Sequence, residues 1–215
     1  MDEPNAGPAA PAAAPGDDAK FLLRLSGLYA LWWAFLAVSP SDRFDWALEN
    51  LLVFLVWGLL YAGYRAYPLS RGAYVSIAVF LALHALGAHY TYAETPLGDL
   101  IARLFGTERN HYDRIVHFSF GLLWVVPFKV FLERYVALGK QGWSAFLAVC
   151  LVLAVSGLYE LLEWAAALLL EPEAALAFLG AQGDPFDGQK DAGLAFLGSL
   201  VGMAAFYAWP KSKAE

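Results

Sequence analysis

The chain has 215 residues, 60% of them hydrophobic and only 16% charged. Soluble domains carry roughly 25% charged residues, so an ordinary water-soluble globular fold is excluded and a membrane protein is indicated. The formal net charge of −6, with no clustered basic patch, leaves no case for a nucleic-acid partner; the implied surroundings are membrane lipids.

Residues 1–19 are rich in Ala, Pro and Asp and lack a basic segment followed by an apolar one. They read as a disordered tail that cannot bury enough apolar surface to fold, not as a cleavable signal peptide. A single domain over 20–210 and a short basic tail over 211–215 complete the expected organisation. Apolar runs of spanning length fall at about 21–38, 46–64, 74–92, 114–132, 143–169 and 191–209. The expectation is therefore an all-α, polytopic transmembrane helix bundle of about six spans. Turn signals separate the runs, as in Ser39-Pro40-Ser41-Asp42 and Tyr67-Pro68-Leu69-Ser70. Only the 93–113 and 170–190 connections are long. In the first, Leu97, Leu100, Ile101, Leu104 and Phe105 have helical spacing, which predicts a short interfacial helix. The lone Cys150 leaves no intrachain disulfide to form.

With the N-terminus inside, nine Lys and Arg residues fall on the inner side and five on the outer, which favours two cytoplasmic termini in a plasma (inner) membrane. Under that parity the unusual polar groups share one depth. Asp42, Asp45, Glu49 and Asn50 open the second span; His84 and His89 lie in the outer half of the third. Asn110, Asp113 and His117 open the fourth, and Asp184, Asp187 and Asp191 lead into the sixth. Glu160 and Glu163 lie roughly 25–30 Å along the fifth, at about 1.5 Å per residue, again near the outer surface.

Asn110, Asp113 and His117 share a helix face by their spacing, as do Glu160 and Glu163, and Asp187 and Asp191. Helical bundles build metal sites from such carboxylates and imidazoles on adjacent turns. Asp113, His117, Glu160, Asp184, Asp187 and Asp191 are thus the expected ligands of a divalent metal ion; carboxylates favour hard cations, and imidazoles widen the choice to zinc, iron or manganese. Glu160, Glu163 and His89 are the catalytic candidates. Caps are the alternative for Asp42, Asp45, Asp113, Asp187 and Asp191, and Asp42 and Asp45 are read that way. For the whole set counting speaks against caps, since fourteen acids from residue 42 to 191 face five bases on the outer side. Buried excess charge requires protons, cations or a cationic ligand.

His84 and His89 are five apart and do not face one ion from a regular helix; His89 is the better placed and His84 reads as a packing residue. Gly198-x-x-x-Gly202 reads as a close-packing seam. Pro127 is expected to kink its helix, and Lys129 to snorkel inward.

Five segments together resemble the YjdF-like bacterial inner-membrane proteins: Pro40 to Asn50, His89 to Tyr92, Arg109 to Phe118, Tyr159 to Trp164 and Gly183 to Asp191. The resemblance spans roughly residues 25–209. It implies a small polytopic membrane fold and marks the same polar residues; the family's function is unknown, so no activity comes with it.

Three functions fit these residues. The first is a metal-dependent membrane enzyme acting on a lipid or lipid-linked substrate at the outer interface, with no nucleophile elbow, Walker loop or His-Glu-x-x-His to suggest other chemistry. The second is a transporter or channel for a cation or small polar solute, against which stands the one-sided gathering of polar groups and the lack of an inverted repeat. The third is a non-catalytic binding or assembly protein.

Overall fold

The structure is a computed structural model and describes residues 15–136, 138, 141–171, 175, 178 and 180–209. The expected tails at 1–14 and 211–215 lie outside the described residues. Among the described residues seven helices build the fold: α1 Pro15–Leu36, α2 Arg43–Gly63, α3 Arg71–His89, α4 Pro96–Phe105, α5 Tyr112–Tyr135, α6 Gln141–Ala167 and α7 Asp187–Ala208. There is no strand among the described residues. By length and composition α2, α3, α5, α6 and α7 are each able to cross a membrane.

The sixth expected span, α1, differs because Asp17, Asp18, Lys20 and Arg24 crowd its first half. It nevertheless runs the full depth of the bundle beside α3. Asp18 pairs with Arg71 at the start of α3 (2.7 Å), and the Leu36 carbonyl lies 2.7 Å from His89 Nδ1 at its end. The helix also begins earlier than a tail through residue 19 implies. A proline opens it and two acids sit in its first turn, where the helix dipole favours negative charge.

The bundle is centred on α5, whose most extensive neighbour is α7. Their seam is built on glycine: a Cβ at Gly121 would strike the Ala195 carbonyl, and one at Gly198 the Phe118 carbonyl. At Gly202 the same atom would lie 2.7 Å from the Leu122 carbonyl. Small residues let two membrane helices approach backbone to backbone, which is what the Gly198/Gly202 spacing implies. This seam sets the distance between the outer ends of α5 and α7.

The short α4 lies at the outer end, with Leu100, Leu104 and Phe105 exposed along one face and Gly106 in the left-handed conformation closing it. Asn110 ties α4 to the bundle. Its amide donates to Asp99 Oδ1 (2.8 Å) and the Thr95 carbonyl (2.9 Å), while its backbone N–H donates to Gln182 Oε1 (2.9 Å). At the inner end α5 passes through Pro127 without a break. Lys129 is buried rather than extended to the interface: it pairs with Glu133 (2.7 Å) and lies over the rings of Phe206 and Tyr207.

Candidate functional site

The outer ends of α5, α6 and α7 bring together most of the polar residues marked in the sequence. Neither α5 nor α7 has a side chain capping its first turn, so Asp113, Asp187 and Asp191 are not caps. Instead they turn toward one another across the glycine seam, with one carboxylate oxygen from each lying within 4.8 Å of the others. Asp191 is 1% exposed and its Oδ1 has no hydrogen-bond partner.

His117, one turn after Asp113, extends the group toward α6. Its Nε2 lies 3.2 Å from Glu160 Oε1 and 3.5 Å from Asp113 Oδ1, while Nδ1 is 3.3 Å from Ser156 Oγ. Glu163 follows Glu160 by three residues on α6 and shares its helix face. Gly188 leaves room for Glu160: a Cβ there would sit 2.7 Å from Glu160 Oε2, so the carboxylate would have to swing aside. Gly188 carries no chemistry of its own, and only knowledge of the α6–α7 approach reveals its part.

Three bases flank the acids. Arg109 pairs with Asp187 at 2.5 Å and also donates to the Ala181 carbonyl at 2.6 Å. Arg114 reaches Asp184 at 2.8 Å and Asp187 at 3.5 Å, and Lys190 reaches Asp184 at 2.5 Å. Asp184 is therefore the ion-paired anchor of the loop before α7 and stands outside the three-carboxylate group. Its hydrogen bonds from Lys190 and from the Phe186 backbone N–H, with that from Arg114, hold its carboxyl down at about 2. His111, just before α5, is pushed below its usual value by burial and by Arg114 and Arg109.

A cleft of about 670 Å³ opens beside the cluster between the outer half of α6 and the start of α7. Gly157, Glu160, Leu161 and Trp164 line one wall at helical spacing, and Asp184, Asp187 and Gly188 the other. Glu160 and Asp187 make a polar base, whereas Leu161 and Trp164 are exposed apolar surface.

Other expectations divide. Asp42 does cap α2, accepting from the Phe44 and Asp45 N–H groups at 2.7 and 2.8 Å. Asp45 does not: it is buried with both carboxylate oxygens unpartnered. His89 is not brought to the cluster, because it is held at the end of α1 and packs edge-on against Tyr90. Asn110 likewise turns away into the knot with α4. His84, read as packing, is 2% exposed and belongs to a second buried polar group. Its Nε2 lies 3.0 Å from the Glu49 carbonyl and its Nδ1 2.5 Å from Tyr92 Oη, while Tyr159 donates to Glu49 Oε2 at 2.7 Å. Tyr159 joins the two groups, with its ring centroid 6.4 Å from that of His117.

Fold and site together define a polytopic helical membrane protein with an acid- and histidine-lined cluster at one end of the bundle. The chain belongs to the family described as predicted membrane protein (DUF2238), whose model matches residues 21–212. It is 38% identical over 164 residues to the inner membrane protein YjdF of Escherichia coli (strain K12), covering 76% of this chain and 78% of that protein. No solved structure matches it. The protein is a multi-pass protein of the plasma (inner) membrane.

Proposed function

We propose that this protein holds a divalent cation between Asp113, Asp187 and Asp191 and acts as a metal-dependent enzyme on a lipid or lipid-linked substrate. One observation carries the reading: three carboxylates converge to within 4.8 Å around Asp191, whose buried Oδ1 has no other partner. Charge balance supports it. Among the described residues, Asp113, Glu160, Glu163, Asp184, Asp187 and Asp191 face His117 and three fixed cations, Arg109, Arg114 and Lys190, and unneutralised acids at membrane depth are strongly disfavoured. The donor set is all carboxylate, with the His117 Nε2 beside Asp113, which suits a hard or borderline ion.

Such an ion supplies Lewis acidity toward a phosphoryl or carbonyl oxygen, or an activated water. The chain's own residues supply the rest. Glu160 faces the cleft and is the group to move a proton there, with Glu163 beside it on the same helix face. Arg109 and Arg114 fix the position of Asp187. Leu161 and Trp164 offer apolar surface to the greasy part of an amphiphile, whose headgroup then lies at the depth of the acids.

Chelation tests the reading. A ligand bound only to the folded state stabilises it by about 2.7 kcal/mol at a hundredfold excess over Kd. EDTA should lower the melting temperature of detergent-purified protein, and manganese or zinc should restore it. Asp187→Asn or His117→Ala should weaken that response, and Asp42→Asn should keep it. An unmoved melting curve rejects the metal enzyme.

A second reading, a transporter for a cation or small polar solute, draws on the Glu49–His84–Tyr92–Tyr159 group, which carries polar atoms from the cluster into the bundle. Uptake of a labelled cation into proteoliposomes, lost in Glu49→Gln, is the result that would favour it.

A further inference from the structure

The inner half of the bundle holds a second cavity, far from the acidic cluster. α2 packs mainly on α3, and its inner end leaves a groove of about 400 Å³ against α5. Leu60 and Gly63 of α2, Ile77 of α3 and Trp124, Pro127 and Phe131 of α5 form its walls. From Trp124 to Phe131 it follows α5 for roughly 10 Å, at about 1.5 Å per residue. A lining of this kind at membrane depth takes hydrocarbon.

Its mouth is basic. Tyr67 and Leu69, in the turn after α2, line the groove, and two arginines flank that turn. Arg134 is exposed and donates to the Pro68 carbonyl at 3.2 Å; Arg65 is exposed two residues beyond the end of α2. Neither has an acidic partner among the described residues. Two acids at this end are committed elsewhere: Asp18 pairs with Arg71 and Glu133 with Lys129, each at 2.7 Å. Two guanidiniums without an acidic partner, over an apolar slot, match one kind of occupant: a molecule with an anionic head and a hydrocarbon tail. Guanidinium forks suit phosphate oxygens, and the inner leaflet is the anionic face of the membrane.

We propose that this groove is a binding site for an anionic phospholipid of the inner leaflet, with one acyl chain between α2 and α5 and the phosphate between Arg65 and Arg134. The site is independent of the acidic cluster and of any metal there. A zwitterionic lipid offers the same tail and phosphate but adds a cationic group that the arginines repel.

Native mass spectrometry of detergent-purified protein, offered phosphatidylglycerol and phosphatidylcholine of matched chains, tests it. Each basic residue near an anionic headgroup is worth about fivefold, so the wild type should prefer phosphatidylglycerol by about thirtyfold. The double variant Arg65→Gln/Arg134→Gln should lose that preference while still retaining lipid. Gly63→Phe should abolish retention of both lipids by filling the groove; a Cβ at this position meets nothing within 4 Å, so the backbone accepts a side chain. Equal retention of the two lipids by the wild type overturns the proposal. So does an unchanged preference in the double arginine variant, which decides the matter alone if Gly63→Phe fails to fold.

Discussion

A single methyl group at Gly198 probes how the site is held together, since the α5–α7 seam fixes where Asp113 stands relative to Asp187 and Asp191. The added Cβ would run into the Phe118 carbonyl and come within 3.0 Å of the Leu122 nitrogen. Both are backbone atoms of a helix and yield only if the whole of α5 moves away. Overpacking of this kind costs about 1–3 kcal/mol. Against it stands a gain of about 0.5–1 kcal/mol, because alanine is the better helix former. The net loss is about 0–2.5 kcal/mol, which at roughly 2–4 °C per kcal/mol lowers the melting temperature by up to about 10 °C. Gly193 lies on the same helix, yet a Cβ there meets nothing within 4 Å. Gly193→Ala keeps only the favourable part and should raise the melting temperature by about 1–4 °C. Gly121→Ala should resemble Gly198→Ala, and the pair together should cost less than the sum, because helices already parted have less left to lose. The assay is tryptophan fluorescence during heating in detergent. Equal responses at Gly193 and Gly198 would refute the reasoning, since the seam would then not be in contact.

Cysteine labelling at Ser41, Thr107 and Gln182 should report one side of the membrane, and at Ser70 and Gln141 the other; finding Thr107 and Gln182 on opposite sides would sink the six-crossing topology. Asp42→Ala removes the hydrogen bonds to the Phe44 and Asp45 N–H groups and should cost about 1 kcal/mol in a thermal melt, with no effect on metal response. Asp184 has its carboxyl held at about 2 against an ordinary 3.8, so its ionised form is favoured by the fold. Its stabilisation is fully present above the ordinary value and is lost only as pH falls through about 2. Lys190→Gln should therefore lower the melting temperature by the same amount at neutral and mildly acidic pH; a loss that grows toward neutrality would contradict the Lys190–Asp184 pairing.

The helices were readable because apolar length and turn chemistry are local properties, and the Gly198/Gly202 seam because its spacing has one physical use. The shared depth of Asp113, His117, Glu160, Asp187 and Asp191 was also readable, since depth follows from the parity of crossings alone. What sequence does not carry is rotation about each helix axis. His84 and His89 share a depth within a turn or two, but α3 turns His84 inward to Glu49 and Tyr92 and leaves His89 against α1. Loop paths are equally hidden. Asn110 shares a helical spacing with Asp113 and His117, but α5 begins only at Tyr112, so Asn110 is free to tie down α4. The count of acids and bases carried the surplus but not its distribution: Arg109, Arg114 and Lys190 converge on Asp184 and Asp187 from separate stretches of chain.

The cation between Asp113, Asp187 and Asp191 is the central claim, and metal content tests it most directly. Protein purified in detergent without chelator, passed through a desalting column and measured by inductively coupled plasma mass spectrometry, should carry about one divalent metal ion per chain, in line with a site that stabilises the fold on binding. Asp191→Asn, which replaces the buried and otherwise unpartnered carboxylate, should purify folded and nearly metal-free. A metal-free wild type that stays so after incubation with manganese, zinc and magnesium, or an Asp191→Asn variant that retains the full complement, would contradict the account.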